Sequence, residues 1–198
     1  MMKNLIIIGA GGHGRVVEDI AHRCGYLKTF FLDDITRFKN VIGKSADYVK
    51  YIDQSVFFVA IGNSKVRKKI FNELIENNAQ VVSLIDPSAV ISKSAEIGEG
   101  TVVMPGTVIN TGTIIGKGNI VNTCASVDHD CVVGDFSHIS VGARLCGTVS
   151  VGNAVWIGAG ATVINNISIC DDCMIGAGAV VVKNIYNAGI YKGVPAKL

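Results

Sequence analysis

The chain has 198 residues, of which 49% are hydrophobic and 17% are charged, and its formal net charge is +2. This length and apolar content predict one or two domains with a sizeable core rather than a disordered chain. The chain has no long basic run and no stripe of basic and aromatic residues, so nothing supports nucleic-acid binding. It also has no stretch of about twenty apolar residues, so no membrane-spanning helix is expected.

The chain begins with a short apolar run. Leu5-Ile6-Ile7-Ile8 predicts a buried first strand, and the run stops at Gly9, too early for the apolar region of a signal peptide. We therefore expect a cytoplasmic protein whose cysteines are reduced.

Signals for strands and helices alternate through the first 85 residues. The predicted strands lie at residues 5–8, 29–32, 55–61 and 81–85, with one helix ending near Gly25 and a second carrying Val66, Ile70, Phe71, Leu74 and Ile75. Residues 37–53 give no clear signal. This alternation predicts a parallel sheet. The basic residues of the second helix are interpreted as a solvated face; they are Lys65, Arg67, Lys68 and Lys69.

A glycine-rich motif follows the first strand. Gly9-Ala10-Gly11-Gly12-His13-Gly14 matches the dinucleotide fingerprint, and Asp33 lies about twenty residues further on. Because a full dinucleotide site uses two halves and only one fits here, NAD is discounted in favour of a nucleotide with one base and a sugar on its diphosphate. The strand ends bring Gly11, His13, Asp33 and Gly62 to one crevice, where a helix N-terminus favours phosphate. The alternative is a glycine-rich turn without a ligand.

The second part of the chain has a period of six. Every sixth residue is aliphatic, at Ile91, Ile97, Val103, Ile109, Ile115, Val121, Val127, Val133, Ile139, Leu145, Val151, Ile157, Val163, Ile169, Ile175 and Val181. This period is typical of a parallel β-helix. Two residues earlier lies a small or β-branched residue, which shares the inward face.

Each 18-residue coil then holds three short strands, and residues i and i+18 stack about 4.8 Å apart. A glycine frequently follows the aliphatic residue and is interpreted as supplying the positive φ of a corner; these are Gly98, Gly116, Gly134, Gly152, Gly158 and Gly176. Cys170 and Cys173 have the spacing of half a zinc site. No second pair exists and Cys173 is in the inward register, so we expect a buried thiol and no metal.

A histidine between two acids marks the candidate catalytic corner. His129 lies outside the inward registers, so it should be exposed, and a neutral imidazole can accept a proton near neutral pH. Asp130, or with less support Asp128, can orient the ring. Gly147 lies one coil later, where its N–H can stabilise an oxyanion. The alternative is a surface histidine with solvated acidic neighbours.

His138 lies half a coil from His129 and on another face. Within one chain the two histidines should not touch. They can meet only if neighbouring prisms pack side by side, which would place the active site between subunits. The alternative is a solvated histidine.

Several segments together resemble one family, the sugar acetyltransferases that include the UDP-4-amino-sugar N-acetyltransferases of bacillosamine synthesis. The segments are Gly-Ala-Gly-Gly-His-Gly, Phe-Leu-Asp-Asp, Ala-Ile-Gly-Asn, Asp-His-Asp-Cys-Val-Val-Gly-Asp-Phe-Ser-His-Ile and the closing Lys-Gly-Val-Pro-Ala. Sialic-acid O-acetyltransferases are related. The resemblance covers nearly the whole chain and implies homotrimers of left-handed β-helices, with acetyl-CoA between adjacent helices and UDP-sugar in the N-terminal domain.

The resemblance also assigns roles to individual residues. It implies that His129 is the general base, Asp130 raises its basicity, and Gly147 donates to the thioester carbonyl. The implied acetyl-CoA contacts are His138, Gly147, Ala159 and Ala177. The implied UDP-sugar contacts are Gly11, Gly12, His13, Asp33, Asp34, Gly62, Asn63 and Asn122.

The sequence therefore predicts a half-Rossmann α/β domain at residues 1–85 that binds UDP-sugar, followed by a left-handed parallel β-helix at residues 86–198. The expected activity is transfer of an acetyl group from acetyl-CoA to the 4-amino group of a UDP-linked trideoxy amino sugar, for glycan biosynthesis. The nearest alternative is O-acetylation of sialic acid or a related sugar. A rival of another class is a non-catalytic scaffold or nucleotide-sugar sensor. No nucleic-acid or membrane partner is expected.

Overall fold

The computed structural model describes residues 3–35 and 40–198; Met1, Met2 and residues 36–39 lie outside the described residues. The chain forms two compact units, Met1–Pro87 and Ser88–Leu198. The boundary lies two residues after the one predicted from the sequence.

The first unit is an α/β unit with a parallel sheet. Its elements are β1 (Asn4–Ile8), α1 (Gly12–Arg23), β2 (Thr29–Leu32), β3 (Val41–Gly43), a 3₁₀ helix (Ser45–Tyr51), β4 (Ser55–Val59), α2 (Ser64–Glu76) and β5 (Leu84–Ile85). The sheet order is β3-β2-β1-β4, and all its pairs are parallel. Because the strands are parallel, their carboxyl ends lie at one edge, where ligands of such folds bind.

The short elements of residues 41–51 were missed by the sequence analysis. Strand β3 has three residues at the sheet edge and no fully buried side chain, so it lacks the apolar run of a central strand. The predicted last strand is also shorter than expected: Val81 forms only an isolated bridge to Phe57, and β5 covers Leu84–Ile85.

The buried face of α2 differs from the predicted one. Phe71 and Leu74 are buried as predicted, but Val66 and Ile75 are 44% and 40% exposed. Arg67 takes the core position one turn before Phe71 and is only 1% exposed. The interpretation of the basic cluster as a solvated face is therefore wrong for Arg67, although its neighbours Lys65, Lys68 and Lys69 are exposed.

The second unit is a parallel β-helix built from two-residue strands. They are β6 (Val90–Ile91), β7 (Glu96–Ile97), β8 (Val102–Val103), β9 (Val108–Ile109), β10 (Ile114–Ile115), β11 (Ile120–Val121), β12 (Ser126–Val127), β13 (Val132–Val133), β14 (His138–Ile139), β15 (Arg144–Leu145), β16 (Ser150–Val151), β17 (Trp156–Ile157), β18 (Thr162–Val163), β19 (Ser168–Ile169), β20 (Met174–Ile175), β21 (Val180–Val181) and β22 (Ile190–Tyr191). From β6 to β21 each strand pairs in parallel with the strand three places further on, with a register of 18 residues, as between Val121 and Ile139. The last strand, β22, pairs with β20. The predicted fold class is confirmed.

The two inward registers also agree with the structure. The aliphatic residues from Val103 to Val181 are buried, and Ile91 and Ile97 of the first coil are partly buried. The small register is buried beside them from Thr101 to Ala179. Cys173, a member of this register, is 2% exposed.

The predicted role of the corner glycines is wrong. Positive φ occurs three residues after each inward aliphatic residue from Ile97 to Ile175, at every sixth position from Gly100 to Gly178. The glycines directly after the aliphatic residues have no positive φ. They are needed because rungs stack closely: a Cβ on Gly98 would lie 2.5 Å from the carbonyl carbon of Gly116, and most of the other five are equally crowded.

Among the described residues, no helix has the length and apolar character needed to cross a bilayer.

Candidate active site

The glycine-rich turn of the first unit connects β1 to α1, and its glycines have different functions. Gly9 has a φ of +106°, and a Cβ there would lie 2.7 Å from Ile61 Cδ1. A Cβ on Gly14 would collide with the Gly9 carbonyl, so this glycine lets the helix approach the strand. Gly11 and Gly12 are exposed, and a Cβ on either would meet nothing within 4 Å. The turn is thus closely packed at Gly9 and Gly14 and open to solvent at Gly11 and Gly12.

The N-terminus of α1 lies at this open side. Gly11 is its N-cap residue, and no side chain caps the helix. The backbone N–H groups of a first helical turn have no acceptor within the helix, and with the helix dipole they favour an anion.

The predicted sugar-pocket residues of the first unit lie at the carboxyl edge of the sheet. Asp33 directly follows β2, and its two carboxylate oxygens accept hydrogen bonds from the N–H groups of Ala10 (2.7 Å) and Ile35 (2.8 Å). Asp34 accepts from the N–H of Ser45 at 3.0 Å. Asn63 is the N-cap of α2 and accepts from the N–H of Val66 at 3.1 Å. These side chains fix the loops, and Asp33 braces the glycine-rich turn.

His13 lies in the first turn of α1 with its ring largely buried. Its Nε2 is buried and has no hydrogen-bond partner within the described residues. Burial, reinforced by the charge of Arg67, lowers the pKa of His13 to about 4. The ring is therefore neutral at physiological pH.

In the second unit, His129 lies at the corner between β12 and β13. Its Nδ1 lies 2.8 Å from Oδ2 of Asp130, and 48% of its side chain is exposed. Because a carboxylate can only accept, Nδ1 carries the proton and Nε2 holds the lone pair. The hydrogen bond to Asp130 raises the pKa of His129, and the charges of Asp128 and Asp130 add to this effect.

The structure distinguishes the two acids that flank His129. Asp128 accepts from the backbone N–H of His129 (2.8 Å) and from Nδ2 of Asn110 (2.7 Å), which lowers its pKa. Asp128 therefore shapes the corner, while Asp130 contacts the ring. Asp130 has a φ of 56°, a left-handed conformation that Asp tolerates better than most residues.

Gly147 lies one rung from His129, as predicted. A Cβ on Gly147 would lie 2.5 Å from Nε2 of His129 and 2.7 Å from its Cε1, so the ring rests against this glycine. Within the described residues the N–H of Gly147 donates no hydrogen bond, whereas the next residue, Thr148, donates to the His129 carbonyl at 2.9 Å. The basic nitrogen and this N–H are therefore close neighbours.

Two residues of the inward register support this corner from inside. Thr113 Oγ1 donates to the Asp128 carbonyl at 2.8 Å, and Cys131 Sγ donates to the Cys146 carbonyl at 3.1 Å. The backbone on both sides of the imidazole is thus held to the core.

His138 lies on β14 in a groove of about 460 Å³ on another face of the β-helix. The groove is lined by Asn122, His138, Ser140, Val141, Trp156, Gly158, Ala159, Met174, Ile175, Gly176 and Ala177. His138 Nε2 lies 3.0 Å from Nδ2 of Asn122, and its ring packs against Trp156 with centroids 4.8 Å apart.

The predicted residues thus form three groups. Gly11, Gly12, His13, Asp33, Asp34, Gly62 and Asn63 lie at one sheet edge of the first unit. His129, Asp130 and Gly147 form one corner of the second unit, and His138, Ala159 and Ala177 share the groove. Asn122, which the resemblance places near the sugar, lies 3.0 Å from His138 through its Nδ2. The two histidines lie on different faces of one chain.

Two residues of these sites were missed by the sequence analysis. Trp156 forms the wall beside His138. Its position 18 residues after His138 in the outward register could have indicated this, because residues 18 apart stack on neighbouring rungs. Arg67 lies below the sheet edge, and its helical spacing from Phe71 and Leu74 was the signal for it.

Two protein-family models match the chain. The model described as the PglD N-terminal domain matches residues 4–74. The model described as bacterial transferase hexapeptide (six repeats) matches residues 148–183.

Three known proteins are similar to the chain. UDP-N-acetylbacillosamine N-acetyltransferase of Bacillus subtilis is 37% identical over 111 residues, half of this chain and half of that protein's length. The acetyltransferase domain of PglB from Neisseria gonorrhoeae, solved with acetyl coenzyme A, is 38% identical with a TM-score of 0.95, covering 100% of this chain and 99% of that chain. PerB from Caulobacter crescentus, solved with CoA and GDP-perosamine, is 37% identical with a TM-score of 0.95, covering 100% and 97%.

Proposed function

We propose that this chain transfers an acetyl group from acetyl-CoA to the 4-amino group of a UDP-linked trideoxy amino sugar. The chain belongs to the sugar acyltransferase family with a hexapeptide-repeat β-helix, and this membership supports the proposal. The observation that carries the proposal is the corner at His129. Its Nε2 rests against Gly147, and its Nδ1 is bonded to Asp130.

The chemistry follows from this geometry. The amine nitrogen attacks the thioester carbonyl carbon, and the carbonyl oxygen becomes an oxyanion that accepts from the N–H of Gly147. His129 takes a proton from the attacking nitrogen at Nε2, and Asp130 stabilises the imidazolium. The C–S bond then breaks, the imidazolium returns the proton to the departing sulfur, and the products are an amide and the thiol of CoA.

The groove beside His138 suits the pantetheine arm of acetyl-CoA. Its walls are mainly apolar, with Trp156 along one side and small residues, Ala159 and Ala177, that leave room for an extended chain. Polar groups of Asn122 and His138 lie in the same groove and can bond to the amides of the arm.

The diphosphate of the nucleotide is assigned to the first unit. The uncapped N-terminus of α1, the open glycines Gly11 and Gly12 and the buried Nε2 of His13 offer donors to an anion without blocking its approach.

His129 and the groove lie on different faces of the β-helix. This separation supports an active site between copies of this chain, as in the homotrimer that the family resemblance implies. One copy would supply His129 and a neighbour the acetyl-CoA groove. The reaction is expected to take place in the cytoplasm.

A second candidate substrate is a GDP-linked amino sugar. The reason is the similarity to PerB of Caulobacter crescentus, whose structure contains GDP-perosamine. Since the half-Rossmann unit binds one nucleotide in either case, the two candidates differ in the base and the sugar and not in the chemistry.

The test is release of thiol from acetyl-CoA by the full chain. We expect release with UDP-linked or GDP-linked 4-amino sugars and little with their 4-hydroxy counterparts. His129→Asn should lower turnover by about 10² to 10⁴. Absence of thiol release with every amino sugar would overturn the proposal, as would unchanged turnover in a folded His129→Asn variant. A 4-hydroxy sugar that is acetylated faster would establish the O-acetyltransferase alternative.

A further inference from the structure

Arg67 is a charged residue in the core of the first unit. It lies in the first turns of α2 and is 1% exposed, whereas Lys65, Lys68 and Lys69 of the same helix are exposed. Burial lowers its pKa to about 10, so it still carries its charge at physiological pH. A buried charge is costly unless its surroundings compensate it, and here backbone carbonyls accept hydrogen bonds from the guanidinium.

The guanidinium is fixed at the edge of the sheet where the nucleotide is assigned. Nη1 of Arg67 donates to the carbonyls of Ile61 and Gly62, both at 2.8 Å. These carbonyls follow β4 and precede the N-cap of α2 at Asn63. Arg67 therefore holds the turn that carries Gly62, one of the residues with open space at its Cβ position.

Arg67 also acts on His13. Its charge is the second cause, after burial, of the low pKa of the His13 ring. The contacts agree with this: Arg67 donates to the Ile61 carbonyl, and a Cβ on Gly9, in the turn before α1, would lie 2.7 Å from Ile61 Cδ1. The positive charge and the N-terminus of α1 thus act on the same side of the sheet.

We propose that Arg67 is a positioning residue that supplies a fixed positive charge below the diphosphate site and holds the Gly62 turn in place. This inference rests on the proposed binding of a nucleotide sugar by the first unit. The diphosphate lies at the N-terminus of α1, with His13 as a neutral donor, and Arg67 attracts it across the low-dielectric interior without direct contact. Keeping His13 neutral restricts it to one ring proton, which it donates to the anion.

The experiment compares binding of UDP with binding of uridine to the full chain by calorimetry, and of GDP with guanosine in parallel. Arg67→Gln keeps a polar side chain with an amide donor but removes the charge, and Lys68→Gln removes an exposed charge from the next residue as the matched control. We expect Arg67→Gln to weaken binding of the diphosphate about tenfold or more and that of the nucleoside by less than about twofold. Lys68→Gln should change neither beyond about twofold.

A second variant keeps the inference testable if Arg67→Gln does not fold. Arg67→Lys keeps an ionisable cation, and binding is compared at a pH of about 6 so that a lysine whose pKa is lowered by burial carries its charge; its preference for UDP over uridine should then stay within about threefold of the wild-type preference. Equal weakening of UDP and uridine in Arg67→Gln, or loss of the preference in Arg67→Lys, overturns the inference. Thiol release is not part of this measurement, so a chain that binds UDP through Arg67 but acetylates no sugar would refute the proposed function and leave the inference standing.

Discussion

At the residue scale, the contact between His129 and Asp130 decides which ring nitrogen is available as the general base. The carboxylate occupies Nδ1, so Nε2 faces the rung that carries Gly147. The same contact raises the pKa of His129, which strengthens the base and moves its titration to higher pH.

The pH dependence of kcat/KM tests this contact. A general base must be unprotonated, so activity is lost as pH falls through the raised pKa, and the acidic limb should lie above 6.5. Asp130→Asn removes the negative charge, so the limb should move to lower pH and the maximal rate should fall. The limb of Asp128→Asn should move less, because Asp128 bonds the backbone. Identical limbs in wild type and Asp130→Asn would exclude Asp130 as the tuning group.

Gly147→Ala tests the close approach of the ring. The added Cβ would lie 2.5 Å from Nε2 of His129, so the imidazole must turn away while the Gly147 N–H stays in place. We expect turnover to fall by about 10² or more, with the KM for the nucleotide sugar nearly unchanged. Wild-type turnover in this variant would show that the ring has no fixed position.

At the element scale, two positions of the six-residue repeat are restricted in different ways: one by its backbone conformation at the corner, the other by the space between stacked rungs. The left-handed position accepts Gly, Asp, Asn, Thr, Cys, Ala and even Phe, as at Asp130 and Phe136. Where the position after the inward aliphatic residue carries a glycine, as at Gly98 and Gly134, the next rung lies too close for a Cβ, whereas other repeats carry larger residues there, such as Asn122 and Asp128. The catalytic corner uses this tolerance, because the left-handed position next to His129 carries an acid rather than a glycine.

Two glycines at the same position of the six-residue repeat, Gly134 and Gly176, should therefore respond differently to substitution. A Cβ on Gly134 would lie 2.7 Å from the carbonyl carbon of Gly152, whereas on Gly176 the nearest atom is Cγ of Lys192 at 3.2 Å, part of a flexible side chain. Gly134→Ala should lower the free energy of unfolding by about 1–3 kcal/mol, and Gly176→Ala by less than about 0.5 kcal/mol. Equal thermal midpoints for the two variants would contradict this explanation of the glycines.

At the scale of the whole molecule, the β-helix presents its base and its groove on different faces. His129 follows β12, and the groove lies along β14, β17 and β20, which belong to another sheet. One chain therefore does not bring them together, and assembly of copies would do so.

Mixing of two inactive variants tests whether the site is shared. His129→Ala removes the base, and Ala159→Trp fills the groove. After joint refolding at equal amounts, a site between two copies should regain about a quarter of wild-type activity, since a quarter of neighbour pairs combine an intact base with an intact groove. A site within one chain predicts no recovery. Each variant refolded alone is the control.

The sequence by itself determined the β-helix, its two inward registers and the exposed position of His129, because a strict six-residue period specifies stacking along the whole unit. It also placed the glycine-rich turn before a helix, since that pattern is local. The tertiary structure alone decided that Asp130 rather than Asp128 contacts the imidazole, that Arg67 is buried, and why the glycines after the aliphatic residues are needed. These features depend on atoms brought together from neighbouring rungs or separate elements, which local spacing does not specify: the spacing of Arg67 from Phe71 and Leu74 allows a buried residue there but does not require a charged one to be buried.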